Sequence, residues 1–323
     1  MNNTTFLERN MFEDAFAATT ILVLTTAGII LYLAFVIVVI RTKEYSDNPY
    51  FHLAACLGVF ECITSSLFII ISAPSTYLGY IPGGYTVNKV AGIIMSTCWY
   101  AAFPVTCCLG FNRYYSICKR EDYKSAFSKR NVYIMEVVSL IFGIGFGIWA
   151  SFDCCALLYD PAWYCWGWTI QYLGGVIMSY VDMAVCGLTT LIAGICNALV
   201  FRVYFKMHRE ISDSLKSEEQ ETRRKQREFK LFFQFFVIAI YLTVFDAFFN
   251  LVPFFEPSKW TYLGITYMFI LQSSINRYVY IILNKSLRRK AFNCLGFAEN
   301  GNGVSKISVT GTTNVATKLK DAT

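Results

Sequence analysis

Seven apolar runs divide this chain, and no single soluble core could bury all of them. They lie at 19–40, 51–72, 90–114, 132–152, 173–203, 231–254 and 260–283. A helix of about 20 residues or more, at about 1.5 Å rise per residue, crosses a hydrocarbon layer of about 30 Å. A buried helix of a soluble protein could mimic one such run, but seven in 323 residues require a bilayer. The predicted fold is therefore an all-α membrane protein, a seven-transmembrane helix bundle over 19–283. A short extracellular segment over 1–18 precedes it. An amphipathic membrane-surface helix over 284–295 and a disordered cytoplasmic tail over 296–323, rich in Gly, Ser, Thr and Asn, follow it.

The basic residues orient the bundle. With the N-terminus outside, the outer segments hold only Arg9, Lys89 and Lys259 of the 28 Lys and Arg; the other 25 fall in inner loops, at inner span ends or in the tail. The opposite orientation would run against the positive-inside bias. Asn2 and Asn3 begin overlapping glycosylation sequons, which are used only on an extracellular face, although such short motifs also arise by chance. Met1–Phe16 lacks a basic start and short apolar core and carries Glu8, Glu13 and Asp14, so the first span is expected to serve as the insertion signal. The net charge of +6 follows from the cytoplasmic excess and gives no sign of a nucleic-acid partner.

Most of the twelve cysteines lie inside spans, where they behave as small apolar residues. Cys154, Cys155 and Cys165 are the three placed for oxidation and are the disulfide candidates. The only histidines, His52 and His208, fit no metal-ligand spacing, so neither a metal nor another cofactor is expected. No clustered His, Asp or Ser constellation suggests an enzyme. The segment 206–230 is densely charged, without Gly or Pro, and is expected to extend spans 5 and 6 as helices. No internal repeat is visible, which counts against a duplicated transporter.

Ionisable groups at bilayer depth are costly and mark function. Glu61 in span 2, Asp182 in span 5 and Asp246 in span 6 are such groups. Arg113 lies at the inner end of span 3, where an arginine snorkelling to the headgroups is the plain alternative. Asn276 and Arg277 near the inner end of span 7 complete the set.

These residues have a familiar spacing. Asn112-Arg113-Tyr114 resembles the Asp/Glu-Arg-Tyr motif of the rhodopsin-like G-protein-coupled receptors, with Asn for the acid. Leu57-Gly58-Val59-Phe60-Glu61 resembles their Leu-x-x-x-Asp, and Asn276-Arg277-Tyr278-Val279-Tyr280 resembles Asn-Pro-x-x-Tyr with Arg for Pro. Within that group the chain is most similar to the nematode serpentine chemoreceptors, whose motifs are loose. Asn88 stands where the relatives carry the span 3 cysteine, so Cys154 or Cys155 with Cys165 is the local disulfide alternative. Span 6 lacks the mid-helix Trp-x-Pro, and its Pro253 comes near the outer end.

The resemblance implies a multi-pass cell-membrane receptor, with sensory cilia as a candidate location and olfactory chemosensing as the role. It implies a small-molecule ligand in the outer half and a heterotrimeric G protein at the inner face, coupled through Asn112, Arg113, Tyr114, Asn276 and Tyr280. Helical phase nominates Met95, Trp99, Phe249, Asn250, Tyr262 and Phe269 for the pocket, although an aromatic stripe at that spacing also serves plain packing. Such a lining suits a small, largely apolar molecule. The basic runs 223–227 and 288–290 suit anionic lipid or an acidic partner as well as ordinary inner-face charge, and Cys294 is a palmitoylation candidate. A seven-helix ligand-gated channel, with its N-terminus inside, and a small-solute transporter are the rival readings. Ligand identity, G-protein subtype and oligomeric state have no signature in the sequence.

Overall fold

The structure, a computed structural model, describes residues 10–41, 48–212 and 258–283, together with 237, 240, 241, 243–245, 247–249, 251 and 252. Side chains are described for these except at 204, 206–212, 276, 277 and 279–283. Span 1 is the helix Met11–Arg41, span 2 covers Pro49–Leu78, span 3 is Gly84–Cys118, span 4 is Lys129–Ala150 and span 5 is Leu173–Ser212. These five are long and apolar enough to cross a membrane. The described residues from Val237 to Leu251 are helical and belong to span 6, and the helix Lys259–Leu283 is span 7. The chain is a seven-helix bundle, as expected.

Span 1 starts well before the predicted residue 19. Its first turn carries charge that hydropathy reads as loop, but the charges have partners there: Glu13 forms an ion pair with Lys259, and Asp14 accepts a 2.5 Å hydrogen bond from the Tyr164 hydroxyl. Span 5 runs on past 203 to Ser212, in the direction expected for the charged segment. The rest of that segment, the amphipathic helix, the tail, Asn2, Asn3 and Cys294 lie outside the described residues.

Span 2 is not one regular helix. Pro74 lacks an amide N–H and its ring crowds the carbonyl four residues back, so the preceding turn widens into a π-helical segment, Phe68–Ser72, before helix resumes over Ala73–Leu78. That turn leaves Phe68, Ser72, Ser75 and Thr76 buried in the bundle. Spans 3 and 4 meet through small residues. Ser139, Gly143 and Gly147 repeat every four residues along one face of span 4 and are buried. A Cβ at Gly143 would meet the Thr97 carbonyl oxygen at 2.3 Å, and one at Gly147 the Thr97 Oγ1 at 2.0 Å. Such a stripe lets backbones approach where lipid supplies no hydrophobic drive between helices. On the same helix Val138, Ile141 and Ile148 are exposed, as a lipid-facing side should be.

One element was not anticipated. Between spans 4 and 5 the chain forms an antiparallel hairpin, β1 (Leu157–Asp160) and β2 (Cys165–Trp168), with Leu157 opposite Trp168 and Asp160 opposite Cys165. Tyr164 takes a left-handed φ of 56° in the connecting turn and is fully buried. This hairpin marks one end of the bundle; Arg113 marks the other.

Candidate functional site

The hairpin is a roof over spans 1, 2, 3 and 7. Asn88, at the top of span 3, grips it with both ends of its amide: Nδ2 donates to the Tyr159 carbonyl at 3.0 Å, and Oδ1 accepts from the Tyr159 N–H at 2.9 Å. A turn deeper, Gly92 lets β1 lie against span 3, since a Cβ there would meet the Leu157 carbonyl oxygen at 1.8 Å. From span 2, Thr76 shares a 2.5 Å hydrogen bond with the Tyr159 hydroxyl, and Ser72 accepts one from the Trp166 indole at 3.0 Å. From span 7, Thr266 donates to the Tyr164 carbonyl at 2.7 Å and Tyr262 packs edge-on against Trp163. Burial raises the Tyr159 phenol pKa, so it stays a neutral hydrogen-bonding group. At the rim, Asp153 accepts from Lys89 at 2.5 Å and from Tyr85 at 2.8 Å, and these bonds hold its carboxyl below the usual range.

Beneath the roof lies an aromatic cluster. Trp99 of span 3 stacks on Phe269 of span 7, ring centres 4.3 Å apart and 25° from parallel. Phe68 of span 2, Phe103 of span 3 and Phe245 of span 6 pack around that pair at 5.7, 5.1 and 6.4 Å. One carboxylate anchors it. Asp182 of span 5 is buried and accepts from the Trp99 indole N–H at 3.1 Å and the Tyr100 hydroxyl at 3.0 Å. Tyr100 in turn stacks on Phe146 of span 4, 3.7 Å away. Desolvating a carboxylate is tolerable only where hydrogen bonds hold it, and here they fix the indole of Trp99 against span 7. Among the described residues the chemistry on offer is apolar and polarizable, with Asp182 at its edge.

At the opposite end, Arg113 is half-buried with its guanidinium 3.6 Å from the centre of the Tyr50 ring. Tyr50 owes its place to the start of span 2: Pro49 opens the helix, and Asn48 caps it by accepting the Tyr50 N–H at 3.0 Å. Asn112 is buried and donates to the Tyr123 hydroxyl at 3.3 Å. Tyr123 belongs to the short helix Arg120–Ala126 and stacks on Phe127. Glu121 and Asp122, on that helix, are exposed.

The sequence profile of the serpentine type 7TM GPCR chemoreceptor Srx family matches residues 22–284. This chain belongs to the serpentine Srx chemoreceptor family. Its backbone is also similar to that of squid rhodopsin, with a TM-score of 0.68 at 15% identity over 90% of this chain and 87% of that one. At that identity the likeness speaks for the fold. No curated protein matches by sequence.

Of the pocket residues nominated from helical phase in this Srx chain, Trp99 and Phe269 meet directly. Phe249 stacks on Phe245, which touches Phe269. Met95 is buried in the same core cluster as Tyr159 and Tyr164. Tyr262 is part of the roof rather than the cluster. Asn250 and Asp246 lie outside the described residues, as does Pro253. Asn276 and Tyr280 fall within the span 7 helix, with their side chains outside the described set, and Tyr114 packs edge-on against Tyr115. Glu61 is half-buried. Cys154, Cys155 and Cys165 are all free thiols in this structure.

Sequence reasoning missed Phe68, Tyr100, Phe245, Tyr50 and Tyr123. Only the first carried a usable signal, since Pro74 six residues later distorts the helix there. Among the described residues a cleft of about 380 Å³ lies between spans 5 and 6, lined by Asn197, Phe201, Ile240, Thr243 and Val244. It is on the Arg113 side of the bundle, away from the aromatic cluster.

Proposed function

We propose that this Srx chain is a chemosensory receptor that binds a small, largely apolar ligand in the Trp99–Phe269 cluster and couples to a heterotrimeric G protein at the Arg113 end. The stacked Trp99–Phe269 pair carries the reading. It joins spans 3 and 7 under the hairpin, and Asp182 ties it to span 5, so a ligand wedged against Trp99 would strain three spans at once. In this reading the hairpin end is extracellular and the Arg113 end cytoplasmic, which the distribution of Lys and Arg supports. Opening that end would turn Arg113 from the Tyr50 ring towards a partner's backbone carbonyls, with Asn112 and Tyr114 beside it in the chain; Asn276 and Tyr280 of span 7 share the proposed coupling role.

The test is a second-messenger assay in cells expressing the receptor, with antibody access to a tag at residue 1 on intact cells establishing both orientation and surface amount. Pooled small metabolites should evoke a response that Trp99→Ala and Arg113→Ala remove at matched surface expression, without stoichiometric solute flux. A tag reached only after permeabilisation, or an ion current that persists without G protein, would favour the channel instead. An unchanged response per surface receptor in Arg113→Ala would leave that residue an interfacial anchor.

A further inference from the structure

Where span 4 ends, the chain turns through the 3₁₀ segment Asp153–Cys155 and sets two cysteines side by side. Their sulfur atoms are 3.0 Å apart, and Cys154 is exposed while Cys155 is buried. The surroundings hold this pair together. Asp153 is fixed by Lys89 and Tyr85, and the Ala156 carbonyl accepts from the Thr169 N–H at 3.0 Å, tying both flanks of the turn. Span 5 closes the remaining side: a Cβ at Gly174 would meet the Cys155 sulfur at 2.4 Å and the Cys154 sulfur at 3.2 Å. The nearest cysteine in sequence, Cys165, sits on β2 opposite Asp160, and burial pushes its thiol up to about 12; burial raises the Cys155 thiol as well, so the exposed Cys154 is the one placed to react first.

We propose that Cys154 and Cys155 form a redox-active vicinal dithiol, a modification site whose oxidant is a low-molecular-weight disulfide. Cys154, the accessible thiol, loses its proton and attacks one sulfur of the oxidant, making a mixed disulfide and releasing one thiol. Cys155 then loses its proton and attacks the Cys154 sulfur, closing the ring and releasing the second thiol. Two protein thiols are oxidised to one disulfide, and one small disulfide is reduced to two thiols. Adjacent Cα atoms stand about 3.8 Å apart, below the roughly 4.4–6.8 Å that an unstrained disulfide spans, so the bond is easily reduced again. The pair is therefore a reversible redox site and not a staple. Its position gives it leverage, since this turn feeds β1 and hence the Tyr159 contacts of the roof.

The experiment uses full-length receptor, purified reduced in detergent, freed of reductant and exposed to oxidised glutathione. After trapping with N-ethylmaleimide and proteolysis, mass spectrometry should find the peptide containing Cys154 and Cys155 lighter by two hydrogens and unlabelled. Mild reduction should restore labelling of both thiols. Cys165→Ser should leave that result unchanged, and Cys154→Ser should leave Cys155 unoxidised. Full labelling after the oxidant, a cross-link to the Cys165 peptide, or a lasting glutathione adduct on Cys154 beside a free Cys155 would each overturn the proposal. The unsubstituted receptor decides the question even where a variant fails to fold.

Discussion

Arg113 illustrates how one substitution in a motif is answered elsewhere. Asn112, beside it in the chain, offers an amide in place of a carboxylate, and the guanidinium lies over the Tyr50 ring. A cation over an aromatic face contributes about 0.5–2 kcal/mol, more when desolvated, and about 1 kcal/mol is a fivefold shift between two states. Tyr50→Leu should therefore raise ligand-free signalling several-fold at matched surface expression, while Tyr50→Phe, which keeps the ring, should stay near the parent level. Basal activity unchanged in the leucine variant would mean that the ring is packing only. Tyr50 was not legible in the sequence because its role depends on the start of span 2 folding back beside the end of span 3, a contact that no local pattern encodes. Arg113 was legible because position along a span gives depth directly.

Among the elements, the hairpin shows how side-chain hydrogen bonds can anchor a short strand pair. Asn88 at the top of span 3 makes two hydrogen bonds to one residue of β1 through its amide. Removing one partner of a buried hydrogen bond costs about 1–3 kcal/mol because the group left behind is desolvated. Asn88→Ala should loosen β1 and raise the rate at which N-ethylmaleimide labels the half-buried Cys165 thiol on β2 at least several-fold above the parent; equal rates would show that Thr76, Ser72 and Thr266 hold the roof without Asn88. Spans 3 and 4 yield a second expectation. Gly143→Leu would force a side chain into the Thr97 backbone, whereas Gly145 faces open space. The first change should sharply lower the yield of monodisperse receptor in size-exclusion chromatography, and Gly145→Leu should not. The two strands went unforeseen because each is four residues long and the hairpin is held by side chains of spans 1, 2, 3 and 7 that are distant in the sequence. The spans themselves were legible since twenty apolar residues have few other places to go, and their ends were not, because a charge such as Asp14 extends a helix when a distant Tyr164 receives it.

For the molecule as a whole, the roof decides how anything reaches the aromatic cluster. Tyr159, Tyr164 and Trp166 fill the end of the bundle above Trp99 and are bonded to four spans. If a ligand binds at Trp99 as proposed, the hairpin stands across its direct path from water, and entry between helices from the bilayer is the expected route. The lipid then acts as a reservoir that concentrates a compound before the receptor meets it. Each added methylene favours that reservoir by about 0.8 kcal/mol, close to a fourfold gain in local concentration. At one sub-saturating aqueous concentration, the initial rate of response across a homologous series short enough to fit should rise by about that factor per carbon, while rates taken against the membrane concentration should converge. Initial rates that ignore chain length would point to an aqueous entrance through the hairpin. On the proposed function, how quickly a ligand is sensed becomes a property of the membrane as much as of the binding site.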